Sequence, residues 1–141
     1  EITESVFMDT VSVQQSNVLS LHQQGVKLAI DDFGTGYSAL NYLSRYPVNF
    51  IKIDKSFIFG MLENDADYQI IVSTIAMVHK LGLQAVAEGV ESFAMAELLQ
   101  QHQCNFAQGY YFSRPLTEQQ LPAFLALLPQ GWPAALLKQP A

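Results

Sequence analysis

Short apolar, β-branched runs alternate along this chain with longer stretches whose apolar positions recur every three or four residues. Ser5 to Gln24 carries Val6, Phe7, Val11, Val18, Leu19 and Leu21 among polar residues, which predicts a helix ending at Gly25. Val26 to Ile30 predicts a strand that runs into Asp31-Asp32, followed by a glycine-flanked loop from Phe33 to Tyr37 and a short helix from Ser38 to about Ser44. Pro47 breaks the chain before a strand at Phe50–Ile53. A long helix is predicted from Asp65 or Asp67 to Leu81, ending at Gly82, then a strand at Leu83–Ala87. Ser92 starts a helix to about Gln101, Asn105–Gln108 is a last short strand, and Thr117 caps a helix to about Leu128. Residues 129–141 hold three prolines and read as a tail behind a single domain of residues 1–128.

Strand, helix, strand in this order predicts an α/β fold with parallel strands and right-handed crossovers. The strands are short and apolar on both faces, which favours a barrel over an open sheet. Four complete strands and the end of a fifth are visible in the pattern. The expectation is therefore the C-terminal strands and helices of a partial TIM-like (β/α) barrel, with the first strands upstream of residue 1. Its open edges predict that residues 1–141 alone do not fold as a stable monomer.

Composition narrows the function classes. Of the 141 residues, 50% are hydrophobic and only 14% charged, as in a packed domain and unlike a disordered chain. A net charge of −6 disfavours DNA, RNA and anionic membrane as unspecific partners. The single cysteine, Cys104, has no neighbouring cation and reads as a structural thiol in a reducing compartment. With no signal peptide and no membrane-spanning run, the reading is a cytoplasmic domain, either soluble or part of a membrane-anchored longer protein.

The chemistry lies at the strand ends. Seven of the 13 acidic residues fall in short strings: Glu1-Ile2-Thr3-Glu4, Asp31-Asp32-Phe33-Gly34-Thr35-Gly36, Lys52-Ile53-Asp54 and Ala87-Glu88-Gly89-Val90-Glu91; a further string is Gln108-Gly109-Tyr110. In a parallel barrel the C-terminal ends of the strands converge on one face. Carboxylates about 4 Å apart repel by about 4 kcal/mol at an effective dielectric near 20. Hard divalent cations such as Mg²⁺ or Mn²⁺ relieve that repulsion. Adjacent Asp31 and Asp32 would point to opposite faces in a regular strand, so the chain is expected to leave the strand there. Lys52 alternates with Ile51 and Ile53 and is expected inside the barrel, where it needs anionic partners.

Together with Pro47-Val48-Asn49-Phe50-Ile51-Lys52-Ile53-Asp54-Lys55-Ser56-Phe57 and Gln108-Gly109-Tyr110-Tyr111-Phe112-Ser113-Arg114-Pro115-Leu116, these strings resemble the C-terminal portion of an EAL domain, the bacterial cyclic-di-GMP phosphodiesterase family. The resemblance covers about residues 1–128. The Glu-Ala-Leu motif and the asparagine that follows it, both metal ligands in the family, do not occur in it, so the chain alone is expected to be inactive.

The resemblance implies metal-dependent hydrolysis of cyclic-di-GMP to linear pGpG, with two divalent cations, Mg or Mn, and inhibition by Ca²⁺. It implies Glu1, Asp31 and Asp32 as metal ligands, and Glu88 and Lys52 as catalytic groups acting on the attacking water. Glu4 would stabilise the loop after Asp32, or serve as a helix N-terminal carboxylate. Asp54 would line the site or orient Lys52. Glu91 would act directly or structurally, and Gln108 would bond a water or carboxylate near the metals, or backbone. Tyr110, Tyr111 and Phe112 would stack on guanine or pack in the core. His22, His79 and His102 lie away from the motifs and are read as helix-end or surface residues. The resemblance further implies a homodimer and, in a longer protein, an upstream sensor or GGDEF domain. The alternative reading is a non-catalytic cyclic-di-GMP receptor or a protein-interaction EAL domain.

Overall fold

A computed structural model describes residues 1–4, 12–35, 43 and 46–127; for residues 12–15 it describes the backbone alone. Five parallel strands, β1 (Ile2–Thr3), β2 (Ala29–Phe33), β3 (Phe50–Ile53), β4 (Gln84–Glu88) and β5 (Phe106–Gln108), form one sheet in sequence order. Helices α1 (Ser12–Gln23), α2 (Lys55–Gly60), α3 (Asp65–Lys80), α4 (Phe93–Gln101) and α5 (Leu121–Leu127) fill the connections and follow the last strand. Strand order equal to chain order is what repeated right-handed crossovers produce, and it is the order of a barrel wall.

The sheet divides its side chains by alternation. Ile51, Ile53, Ala85 and Ala87 are fully buried and belong to the core with Ile71, Ile75 and Val78 of α3 and Ala96 and Leu99 of α4. The α3 positions recur at four- and three-residue steps, which places them on one helical face. Lys52, Val86 and Glu88 alternate with these core residues and face the other side.

Strand starts are pinned by two asparagines directly ahead of strands. Asn49 Oδ1 accepts from Leu28 N at 2.9 Å, and Asn105 Oδ1 accepts from Ala85 N at 2.8 Å. His79 Nε2 also contacts Asn105 Oδ1 at 2.9 Å, and His102 Nε2 stands 3.0 Å from the Tyr68 hydroxyl. His102 thus ties the end of α4 to the start of α3, His79 ties the end of α3 to the turn before β5, and exposed His22 lies in the last turn of α1.

Three elements differ most from the sequence reading. β2 runs from Ala29 to Phe33, later than Val26–Ile30, and so contains Asp31 and Asp32. α2 was missed, although Asp54 gave its signal: the carboxylate caps the helix by accepting from Ser56 N at 2.9 Å and from the Ser56 hydroxyl. The last helix starts at Leu121, because Thr117 closes a turn with Gln120 instead of capping the helix. Of the helix expected from Ser38 to about Ser44, Leu43 is described as helical and buried; residues 5–11 of the first expected helix and the tail at 129–141 lie outside the described residues. α5 buries none of its residues, and Leu121, Leu125 and Leu127 are exposed. Among the described residues, no helix is long and apolar enough to cross a membrane.

Candidate active site

A bulge in β2 builds the acidic edge of the site. Ile30 pairs with Ile51 and Phe33 with Ile53, so Asp31 and Asp32 together oppose the single residue Lys52. Asp32 takes a left-handed backbone with φ 55°. One extra residue and one left-handed turn bring two consecutive carboxylates to the same side. The expectation that the chain leaves the strand at Asp31 is corrected in this sense: the strand continues, and the bulge does the reorienting. Asp32 N also donates to Asp31 Oδ1 at 3.2 Å.

Lys52 stands at the centre. Its Nζ lies 2.9 Å from Glu1 Oε2, 2.9 Å from Asp31 Oδ1 and 2.7 Å from Glu88 Oε1. The residue is only 6% exposed, whereas Glu1 is exposed and Asp31 and Glu88 are half-buried. Burial acts to lower the Lys52 pKa, but hydrogen bonds to Glu88, Asp31 and Glu1 outweigh it and push the ammonium well above the ordinary lysine range. Lys52 pairs with Val86 across the ladder, and Glu88 is two residues beyond on the same face, which explains why the two meet.

One carboxylate oxygen each of Asp31, Asp32 and Glu88 lie within 4.8 Å of one another. These are hard oxygen donors at a spacing that suits Mg²⁺ or Mn²⁺. Glu1 lies outside this trio and reaches it through Lys52. The trio thus contains Glu88, which the sequence reading had assigned to proton transfer and not to the cations.

The remaining residues surround this centre. Glu4, 2% exposed, accepts from Gly34 N at 3.0 Å and thereby holds the turn that follows Asp32. Gln108 Nε2 donates to Glu88 Oε1 at 2.6 Å, so Glu88 is fixed from both sides. Asp54 is not among the carboxylates in reach of Lys52; its cap bonds occupy it instead. Burial acts to raise its pKa, and the Ser56 hydrogen bonds prevail and lower it. This corrects the expectation that Asp54 orients Lys52.

Beside Glu88 opens a cleft of about 450 Å³, walled by Lys55, Phe59, Glu91, Tyr110 and Arg114. Glu91 is exposed on this wall. The aromatic cluster separates by role. Tyr111 and Phe112 pack edge to face with centroids 5.1 Å apart against the core, whereas Tyr110 is 55% exposed. The Arg114 guanidinium lies 4.6 Å over the Tyr110 ring. Lys55 and Arg114 were given no role from sequence. Their signal was available, since the chain has only seven basic residues and both lie in or beside the motifs.

Comparison with known proteins identifies the family. A family model described as EAL domain matches residues 1–115. The chain is 43% identical over 125 residues to the cyclic di-GMP phosphodiesterase NbdA of Pseudomonas aeruginosa, covering 89% of this chain and 16% of NbdA. It superposes with a TM-score of 0.80 and 40% identity on the MucR phosphodiesterase of Pseudomonas aeruginosa in its c-di-GMP complex, covering 85% of this chain and 49% of that one. On Klebsiella pneumoniae BlrP1, in a manganese/cy-diGMP complex, the TM-score is 0.73 at 34% identity, over 80% of this chain and 29% of that one. The chain thus spans well under two thirds of each of these proteins. With five motifs in order and five parallel strands that superpose on part of TIM-barrel-like neighbours, the chain belongs to the EAL domain family.

Proposed function

We propose that this chain supplies the Lys52-centred half of a metal-dependent phosphodiesterase site that hydrolyses cyclic-di-GMP to linear pGpG. The observation that carries the reading is a buried ammonium held at 2.7–2.9 Å by three carboxylates, beside an Asp31–Asp32–Glu88 oxygen cluster at the C-terminal edge of parallel strands. The complexes of MucR and BlrP1 with this dinucleotide support the substrate class.

Asp31, Asp32 and Glu88, with Glu1 beside them, would hold two divalent cations. When bound, Mg²⁺ or Mn²⁺ would offset the negative charge that develops at phosphorus and ease deprotonation of the attacking water. The chain's own groups do the rest. Glu88 accepts the proton of the water that attacks phosphorus, and its orientation is fixed by Gln108 Nε2 and Lys52 Nζ. Lys52 stays protonated at neutral pH, so it donates and does not act as the base. The P–O3′ bond breaks, the leaving oxygen takes a proton from solvent while Glu88 returns its own to solvent, and the opened dinucleotide keeps a 5′ phosphate. Glu4 keeps the turn after Asp32 closed, so that both aspartates remain on one side.

The deciding experiment incubates the full polypeptide and the 141-residue chain separately with cyclic-di-GMP and Mg²⁺ or Mn²⁺, and follows pGpG by chromatography. Formation of pGpG by the full polypeptide is the expected result. Binding of the dinucleotide without pGpG would make this a receptor.

A further inference from the structure

Glu88 makes the shortest of the Lys52 ion pairs, yet what fixes its backbone is a pair of glycines. Beyond the last ladder pair, Glu88 with Gln108, two more hydrogen bonds extend the contact: Val90 N donates to Gln108 O at 3.1 Å and Tyr111 N donates to Val90 O at 3.0 Å. Gly109 lies between these bonds. A Cβ built on Gly109 would stand 2.1 Å from Val90 O and 2.3 Å from Val90 N, the two atoms that make them. The opposite side is also close-packed, though less tightly. Gly89, at φ 73°, would bring a Cβ to 2.7 Å from Lys55 Cβ and 3.3 Å from the Phe59 ring. The segment Glu88-Gly89-Val90 is thus confined between the β5 loop and α2, with space for hydrogen atoms only.

We infer that Gly109 and Gly89 are positioning residues for the reaction proposed above, acting through Glu88. The inference rests on the phosphodiesterase reading. Ordinary carbon–oxygen contact is about 3.5 Å. An added methyl at Gly109 therefore has to drive Val90 away by more than about 1 Å, and α2 blocks the retreat. Glu88 and Gln108 then part, and the 2.6 Å bond between them is lost. A misplacement of about 1 Å costs up to about a hundredfold in rate. Lys55 and Phe59, the part of the cleft wall carried by α2, keep their places, so the loss falls more on kcat than on KM.

The test is a double-mutant cycle in the full chain with Gly109→Ala and Glu88→Gln, read by two measurements. Steady-state kinetics gives kcat and KM for cyclic-di-GMP. Mn²⁺ titration without substrate, followed by the EPR signal of the free ion, reads the Glu88 carboxylate independently of turnover. Gly109→Ala is expected to lower kcat and Mn²⁺ affinity each about tenfold or more, with KM within about threefold of wild type. Adding Gly109→Ala to Glu88→Gln is expected to change neither further, because the group it positions is already gone. Wild-type Mn²⁺ affinity in Gly109→Ala overturns the inference, and so do losses that multiply in the double variant. If Gly109→Ala lacks a cooperative melt, Gly89→Ala enters the same cycle with the same expected and overturning results. Wild-type protein that binds Mn²⁺ and makes no pGpG overturns the phosphodiesterase reading, while the Mn²⁺ arm still decides whether the glycines position Glu88.

Discussion

Lys52 Nζ lies 2.7 Å from Glu88 Oε1 on the neighbouring strand, the shortest of its three ion pairs. Lysine here is an internal cation: it neutralises part of a carboxylate cluster that would otherwise repel itself. Its position makes the cluster tolerable before any divalent ion enters.

Lys52→Met keeps the volume and removes the charge. The variant should be less stable than wild type by about 2 kcal/mol, below the 3–5 typical of breaking a fully buried pair because Glu1 is exposed. Mn²⁺ should restore more stability to the variant than it adds to wild type. Turnover should fall by orders of magnitude with little change in dinucleotide affinity. Urea melts with and without Mn²⁺, beside kcat and KM, check this; a loss mainly in affinity would make Lys52 a substrate clamp. The raised pKa of Lys52 sets the pH sign. Its stabilising contribution is fully present below the ordinary lysine value and is lost only as pH rises through the higher folded value.

Asp31→Asn should abolish turnover and leave the fold intact. An asparagine can still accept from Asp32 N through its Oδ1, so the bulge survives, but the charge shared between Lys52 and the oxygen cluster is gone. Circular dichroism and pGpG production decide it; near-normal turnover would refute the assignment.

Asp54→Ala should cost about 1 kcal/mol of stability through loss of a helix cap and leave kcat within about threefold of wild type. The lowered pKa of Asp54 makes its contribution one that exists above the ordinary aspartate value and fades as pH falls through the folded value. A large loss of kcat with unchanged stability would return Asp54 to the site.

Cys104 should label slowly. Burial pushes its thiol from 9.0 up to about 11, against backbone hydrogen bonds of Phe106, Ala87 and Asn105 that act to lower it. At pH 8 the thiolate fraction is about a hundredfold below that of an ordinary thiol, so alkylation in the native state should be slower by at least about that factor. The folded state holds this proton more tightly than the unfolded one, so stability should decline from about pH 9 to 11. Rapid native-state labelling at pH 8 would contradict the burial.

Ca²⁺ should occupy the oxygen cluster and inhibit turnover supported by Mg²⁺ or Mn²⁺. Its longer bonds and looser coordination misplace the groups around phosphorus. Calcium-supported formation of pGpG would count against the proposed geometry.

The sequence by itself determined the parallel α/β architecture and, with the family resemblance, which residues were candidates for the site. Val, Ile and Ala runs at strand spacing and acidic strings at their C-terminal ends are local patterns, and they led to Asp31, Asp32, Lys52 and Glu88 before any geometry. Inside-outside alternation was enough to put Lys52 on the opposite face from Ile51 and Ile53. What it left undecided were matters of a single ångström or a single turn. Whether Asp31 and Asp32 face one way depends on a bulge set by pairing with β3, and that pairing is non-local. Asp54 has the parity of Lys52, yet β3 ends at Ile53 and α2 starts at Lys55, so its carboxylate serves as the cap. Tyr110 and Tyr111 are the same residue type side by side; only packing decides that one lines the cleft and the other the core. Residue type fixes which chemistry is available, while contact between strands distant in sequence fixes where each group points, and only the tertiary structure contains those contacts.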